Sequence, residues 1–304
     1  MSNSFPVIEV PADATQAPEQ LGTKFKFWFE DPEWGTCLYK QSRPNTGEDW
    51  AEKIAAQLCE IIGLPYARIE LATWRGNRGT VSPSFLPKDG MLILGNEILA
   101  GMMTGYPQFQ YAQVSQHTID VVLRAISLTM VNIPPDWIPP AGIDKAVETF
   151  VGYLLLDAWI GNSDRHHENW GFISQPRDPS IKYLAPTYDH ASSLGRELLD
   201  LKRQDRLTKR SVSAYVEKCR SALYAHPGDR KAMKTFEAFR EAAQTYPNAA
   251  LVWLDRLSMV SSRDTLMWFH RIPQNRISSI GIEFAQQILE INQRRLLALK
   301  EDLC

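Results

Sequence analysis

The chain has 304 residues, of which 44% are hydrophobic and 22% are charged, and its formal net charge is −2. With a sequence pI of about 6.3, it has no globally basic surface, so we expect that this chain alone does not bind nucleic acid. The four cysteines show no C-x-x-C spacing, which argues against a zinc ribbon and a disulfide framework. The sequence shows neither a signal peptide nor a membrane-spanning run, so we expect a cytoplasmic protein that does not bind membranes.

The first forty residues predict a loose arm followed by a β-hairpin. Residues 1–20 carry three prolines among small and acidic side chains, which is typical of a flexible arm rather than a folded element. Residues 21–30 alternate in polarity as a strand does, residues 31–35 have the composition of a turn, and residues 36–40 form the returning strand. We therefore expect the folded part of the chain to begin with this hairpin.

Three residues at the start of the hairpin are candidates for contact with a phosphate group. Gly22 lets the backbone approach a phosphate closely, and Thr23 and Lys24 carry hydrogen-bond donors. The stretch is not a G-x-G-x-x-G loop, so an ordinary hairpin start is the alternative interpretation.

Lys40 and Glu52 form a candidate ion pair. Lys40 closes a strand shortly before a helix predicted over residues 47–62, and kinases place a phosphate-binding lysine in this way. On the helical wheel, Glu52 lies on a side made otherwise of small residues, so we expect its side chain to point inward. An inward carboxylate needs a partner, and Lys40 is the candidate. Glu48 has the same orientation but lies at the frayed start of the helix, where a solvated side chain is the alternative.

Two further strands complete the predicted N-terminal sheet, over residues 66–74 and 79–86. Phe85 and Leu86 fall where a hinge between two lobes would contact adenine, although apolar side chains there are equally typical of a core. The composition turns helical after this point. We place the N-terminal lobe at residues 21–95 and the C-terminal lobe at residues 96–304.

The C-terminal lobe is predicted to be mainly helical. A helix over residues 144–160 is apolar on every face but too short to span a bilayer, which predicts a buried core helix ending at Gly161. Other helices are expected over residues 116–130, 211–224, 230–246, 249–258 and 280–299.

A polar loop follows the buried helix, and its spacing indicates phosphoryl transfer. Asp164 and Asn169 stand as D-x-x-x-x-N, the interval at which kinases place a catalytic base and a residue that binds Mg²⁺. A short strand is predicted over residues 170–173, directly after the loop. A second strand, over residues 181–188, delivers Asp189, where a carboxylate can ligate the Mg²⁺ that bridges nucleotide phosphates. Asp and Asn also favour turns. Three such residues in this order, bracketed by two strands, favour the kinase interpretation.

These motifs carry a family resemblance. The segment 161–169, GNSDRHHEN, and the segment 184–193, LAPTYDHASS, resemble the C-terminal lobe of HipA-like serine/threonine kinases. That family shares its fold with phosphoinositide lipid kinases and, more remotely, with protein kinases. The resemblance implies a two-lobed α+β fold, with a small antiparallel sheet and one helix in the first lobe. It also implies that Asp164 is the catalytic base, that Asn169 and Asp189 bind Mg²⁺, and that His166 braces the catalytic loop.

The sequence therefore predicts a kinase that uses ATP and Mg²⁺ and phosphorylates a protein substrate, with an antitoxin partner implied by the toxin resemblance. Lipid and small-molecule kinases of the same fold remain alternatives, since all share these residues. A nucleotide-binding pseudokinase that acts as an interaction module is a further alternative.

His166, His167 and His190 also suggest a zinc hydrolase. Adjacent histidines point to different faces, however, and no H-x-x-x-H pair is present, which disfavours zinc.

Overall fold

The computed structural model of the chain describes residues 4–14, 17–18, 25–128, 130–175 and 178–303. The strands are β1 (Val7–Val10), β2 (Ala17–Pro18), β3 (Lys26–Asp31), β4 (Gly35–Gln41), β5 (Glu70–Trp74), β6 (Asn77–Pro83), β7 (Met91–Leu94), β8 (Val131–Asn132), β9 (Gly171–Gln175) and β10 (Asp178–Leu184). The helices are α1 (Glu48–Ile62), α2 (Gly95–Met102), α3 (Ile119–Leu128), α4 (Ala146–Ile160), α5 (Asp200–Thr208), α6 (Val212–Val216), α7 (Thr235–Thr245), α8 (Pro247–Ser258), α9 (Ser262–His270), α10 (Ser279–Ala298) and α11 (Lys300–Leu303).

The N-terminal part is a sheet covered by one helix, as predicted. The strand order is β1-β5-β6-β4-β3-β2, and neighbours are antiparallel except for β1 and β5, which are parallel. In the predicted hairpin, β3 and β4 pair from Lys26 opposite Lys40 to Asp31 opposite Gly35. Alternate side chains of β3, Phe27 and Phe29, are buried in an aromatic cluster because successive residues of a strand face opposite sides. Helix α1 packs on β5 and β6.

The structure corrects the predicted loose arm at its centre. Val7–Val10 forms β1 and pairs with Leu71–Trp74 of β5. Val10 is buried in the sheet's core, and Phe5 is buried against the main core. Three of the four residues of β1 are β-branched and apolar, which suits a strand, and the surrounding prolines masked this signal in the sequence.

Helix α4 lies at the centre of the C-terminal part, where it contacts α1, α3, α7, α8 and α10. This explains why the sequence is apolar on every face of the helix. The helix ends at Gly161, whose φ of 66° is left-handed and whose N–H donates to the Asp157 carbonyl. In the part of the chain that the structure describes, no helix has the length and apolarity needed to cross a bilayer.

A second, smaller sheet carries the polar loop. Its order is β7-β9-β10-β8, with β10 antiparallel to β9 and parallel to β8. Strand β9 follows the loop that leaves α4, and the chain beyond β10 returns beside the same loop. The arrangement as a whole is the predicted two-lobed α+β fold. Strand β7 joins this second sheet although it precedes residue 95, and the division into lobes at that residue stays a prediction.

One predicted helix is wrong over most of its length. The segment 211–224 was expected to be helical, but α6 ends at Val216. Beyond it, the chain leaves the helix and pairs at Tyr224 with Thr118. Backbone hydrogen bonds to a distant segment replace those of the helix here. Local periodicity in the sequence could not predict this pairing, because the partner segment is remote in the chain.

Candidate active site

The loop between α4 and β9 is built on a buried ion pair. Arg165 is fully buried, and its guanidinium contacts both carboxylate oxygens of Asp157, at 2.7 and 2.8 Å. It also donates to the Asn169 carbonyl at 2.7 Å and to the Thr187 hydroxyl at 2.9 Å. Burial alone would lower the pKa of Arg165, but the Asp157 carboxylate outweighs it and raises that pKa. Arg165 therefore stays charged and holds the loop to α4 and to the segment after β10.

Asp164 lies in the loop that Arg165 holds in place, and its side chain is partly exposed to solvent. Its backbone N–H donates to the Asn162 side chain at 3.2 Å, and its carbonyl accepts from the Asn169 amide at 2.6 Å. The carboxylate accepts a hydrogen bond from the Ser192 hydroxyl at 3.3 Å, and His166 Nε2 lies 3.9 Å from it. A carboxylate that is anchored yet accessible is suited to accept a proton from an incoming hydroxyl group.

His166 lies beside Asp164 in the loop. Its Nδ1 accepts a hydrogen bond from the Glu168 backbone N–H at 3.1 Å, and its ring packs against Tyr111 with 4.9 Å between the centroids. These contacts fix the ring within the loop.

Lys40 lies between two carboxylates. Its Nζ is 3.1 Å from Asp189 and 3.5 Å from Glu52, so the pairing of Lys40 with Glu52 predicted from the sequence is present. Burial would lower the pKa of Lys40, but Asp189 and then Glu52 raise it above its ordinary value. Lys40 is therefore a fixed positive charge on β4, held beside the residue that follows β10.

Asn169 and Asp189 line the same cavity as Lys40. Because the Asn169 amide nitrogen is engaged with Asp164, its oxygen is the atom left for a ligand. Asp189 has a left-handed backbone, with φ of 57°, a conformation that costs energy and is often retained at functional sites. One amide oxygen and one carboxylate are donors that Mg²⁺ prefers, with nucleotide phosphates and water completing its shell. The residues present thus fit the cation that the family resemblance implies.

Glu48 is not solvated, contrary to the alternative considered from the sequence. It is buried, and its carboxylate accepts hydrogen bonds from Arg43 at 2.9 Å and from Arg196 at 2.8 Å. Arg196 also donates to the Ser192 hydroxyl at 3.1 Å. This network joins the first turn of α1 to the side chain that contacts Asp164.

The cavity that contains Lys40 has a volume of about 270 Å³. Phe85 and Leu86 line it, as do Glu52 and His166. The Phe85 ring stacks on Tyr188, with 5.7 Å between the centroids. The remaining lining is largely apolar and includes Leu38, Ala67, Ile69, Leu92 and Leu94. The predicted phosphate contacts Gly22, Thr23 and Lys24 lie outside the described residues.

Sequence reasoning missed Arg165 and Arg196. A signal for Arg165 was present in the sequence. Asp157 lies inside an otherwise apolar helix, and a buried carboxylate needs a cation to pair with it. Arg165, which follows Asp164 directly, was an available partner. No comparable signal marked Arg196, whose partner lies 148 residues away in the sequence.

Comparison with known proteins supports the same fold. No protein-family model matches the chain, and no curated protein does. Among solved structures, the proinflammatory kinase CtkA of Helicobacter pylori superposes with a TM-score of 0.72 at 17% sequence identity, covering 98% of each chain. HipA of Shewanella oneidensis MR-1, solved with HipB and operator DNA, superposes with a TM-score of 0.60 at 12% identity, covering 96% of this chain and 70% of that one. The chain has the fold of HipA-like kinases.

Proposed function

We propose that this chain is an ATP- and Mg²⁺-dependent kinase that phosphorylates serine or threonine in a protein target, as HipA-like toxin kinases do. The observation that carries the proposal is the meeting of Lys40, Glu52, Asn169 and Asp189 around one largely apolar cavity, with Asp164 on the adjoining loop. In this proposal residues 21–95 form the nucleotide lobe and residues 96–304 the catalytic lobe.

The cavity supports binding of a nucleotide. Adenine would lie among the apolar side chains near Phe85 and Leu86, because a planar base is bound mainly by apolar contact. The charged Lys40 would hold the phosphates, and Glu52 keeps its ammonium in place. Asn169 and Asp189 would hold Mg²⁺, which supplies positive charge to the phosphoryl group as it is transferred.

Asp164 supports the transfer step. The acceptor hydroxyl gives its proton to the Asp164 carboxylate as its oxygen attacks the γ-phosphorus. Ser192 donates to one oxygen of that carboxylate, which leaves the other to receive the proton. His166 and Asn169 brace the loop, so the carboxylate is positioned before the substrate arrives.

A protein substrate and an antitoxin partner are the finer parts of the proposal. The HipA neighbour was solved together with HipB, and we extend a partner of that kind to this chain. If the chain is a toxin, its expression in bacteria arrests growth and the Asp164→Asn substitution relieves the arrest. Growth that is unaffected by the wild-type chain would contradict the toxin role.

Radiolabelled ATP with a serine/threonine peptide library tests the kinase itself. Asp164→Asn preserves size and hydrogen bonding but removes the base, so we expect transfer to fall by about 10²–10⁴-fold while calorimetry shows unchanged MgATP affinity. Asp205→Asn, on the exposed surface of α5, is the control and should transfer like the wild type. A wild-type protein that binds MgATP but transfers no label would instead support the pseudokinase alternative.

A further inference from the structure

The segment from Phe5 to Val10 connects the two parts of the fold. Its last four residues form β1, which pairs in parallel with β5 at the edge of the first sheet. Phe5 lies instead on the C-terminal part, where its N–H donates to the Arg271 carbonyl at 2.7 Å. Arg271 directly follows α9. Residues 5–10 therefore form a strap that is attached to the helical part at one end and to the sheet at the other.

The Phe5 side chain is buried beside both α1 and α9, with 5% of its surface exposed. Its ring stacks on Trp268 of α9, with 5.9 Å between the centroids and 12° between the planes. Two cations lie over the ring, the Arg271 guanidinium at 4.2 Å and the ammonium of Lys53, on α1, at 4.5 Å from its centroid. The ring thus joins α9 to α1 through aromatic stacking and cation–π contacts.

Lys53 is the residue of α1 on which the strap acts. Its Nζ donates to the Ile69 carbonyl and to the Glu70 carboxylate, both at 2.8 Å. Burial lowers the pKa of Lys53, and the nearby charge of Arg271 lowers it further although Glu70 raises it. Lys53 and Arg271 therefore repel each other, while the Phe5 ring attracts both. Without that ring, the repulsion would remain and a void would open beside α1.

The position of α1 affects the candidate active site through Glu52, which precedes Lys53. Glu52 lies 3.5 Å from Lys40 Nζ, at the long limit of a hydrogen bond. A displacement of α1 by about 1 Å would separate this pair, and misplacements of that size can lower a rate by about 10²-fold. Ion pairs of Glu48 and Asp49 hold the first turn of α1. The strap is a further attachment, one turn along the helix.

We propose that Phe5 is a positioning residue, which docks the strap on α9 and thereby holds α1 with Glu52 beside Lys40. The inference rests on the proposed function, in which Lys40 holds the nucleotide phosphates. Phe5 does not line the cavity that contains Lys40, so it acts through α1 and not by contact with the nucleotide.

Phe5→Ala and Phe5→Leu test the proposal in transfer assays with radiolabelled ATP and the serine/threonine peptide library, well below the thermal midpoint of each variant. We expect Phe5→Ala to lower kcat by about tenfold or more. Phe5→Leu keeps apolar bulk but loses the aromatic face, so its loss should be smaller. In a Glu52→Gln background, Phe5→Ala should cause little further loss, because both substitutions act through the same contact.

Trp34→Ala is the matched control for these assays. The Trp34 ring also lies under a guanidinium, that of Arg68 at 4.2 Å, but both residues belong to the N-terminal part of the chain. This variant should keep the wild-type kcat. The proposal would be overturned by a Phe5→Ala variant with wild-type kcat, or by one whose loss is equally large with and without Glu52.

Hydrogen exchange followed by mass spectrometry gives a readout that does not depend on activity. Phe5→Ala should speed exchange of the α1 amides, while α7, which packs on α4, exchanges as in the wild type. Unchanged exchange in α1, or an equal rise in both helices, would contradict the positioning role. If the wild-type protein transfers label to no acceptor, the proposed function fails and the role of Phe5 in transfer fails with it. Faster exchange confined to α1 would then still show that the strap holds this helix.

Discussion

The Glu48 carboxylate accepts a hydrogen bond of 2.8 Å from Arg196, a residue that follows Asp189 by seven positions. Gly47, which precedes α1, also donates its N–H to the Arg196 carbonyl at 2.9 Å. Arg196 also donates a hydrogen bond to the Ser192 hydroxyl, and that hydroxyl donates one to the Asp164 carboxylate. The start of α1, which also carries Glu52, is therefore tied to the orientation of the candidate base.

The first prediction concerns this connection. Arg196→Ala removes both hydrogen bonds of the guanidinium, so we expect kcat to fall by about tenfold or more with little change in MgATP affinity. Arg196→Lys should recover part of the loss, because a single ammonium cannot reproduce the fork that reaches Glu48 and Ser192. Arg124→Ala breaks an exposed pair with Asp120 on α3 and serves as the control. A change confined to the thermal midpoint, with kcat intact, would contradict the positioning role.

The second prediction concerns Lys40 and Glu52. Lys40→Met removes the charge that would hold the phosphates, and we expect transfer to fall by about 10²-fold or more. Glu52→Gln should reduce transfer through a misplaced Lys40. The double variant should be little worse than Lys40→Met, because residues that act as a unit are not additive. Losses that simply multiply in the double variant would show that the two residues act separately.

The third prediction concerns Asp189 and the cation. A neutral amide is a poor ligand for a hard cation, so Asp189→Asn should weaken binding of ATP in the presence of Mg²⁺. Binding of ATP without Mg²⁺ should be weakened less, since Lys40 loses a competing carboxylate. Calorimetry with and without Mg²⁺ separates the two effects, and Asp205→Asn is again the control. An unchanged dependence of ATP affinity on Mg²⁺ would remove Asp189 from the ligand set.

The fourth prediction concerns stability. Asp49 is fully buried and accepts hydrogen bonds from Arg78 and Arg276, both at 2.8 Å at their shortest. Arg276 also donates to the Ala72 carbonyl, so this cluster joins the C-terminal part to the first sheet. Asp49→Asn leaves two guanidinium groups without their charge partner, and we expect a loss of about 3–5 kcal/mol in the free energy of unfolding. Thermal or chemical denaturation measures this loss.

Asp120→Asn is the matched control for that measurement. Asp120 pairs with Arg124 one turn along α3, and both side chains are more than half exposed. Exposed pairs of this kind contribute little because solvent screens them, so the control should unfold almost as the wild type does. Equal effects of the two substitutions would contradict the importance of burial at Asp49.

The sequence by itself determined the features that depend on neighbours along the chain. The spacing of Asp164, Asn169 and Asp189 identified the loop, because its polar residues lie between an apolar helix and apolar strands. Helical periodicity placed Glu52 on an inward face, and that was enough to infer its pairing with Lys40. The end of α4 at Gly161 followed from the turn residues there. Each of these inferences uses a period or a spacing of a few residues.

Only the tertiary structure decided which distant segments meet. Glu48 is buried because Arg196, 148 residues away in the sequence, lies against it. The chain after Val216 is not helical because it forms backbone hydrogen bonds with residues 117–119. Strand β1 forms because it pairs with β5, along the edge of the sheet. In each case the free energy comes from a partner remote in the sequence, and that partner outweighs local propensity. Asp164 also lines a second cavity beside its loop, and the lining residues of that cavity come from three separate parts of the chain. Local spacing in the sequence therefore could not predict it.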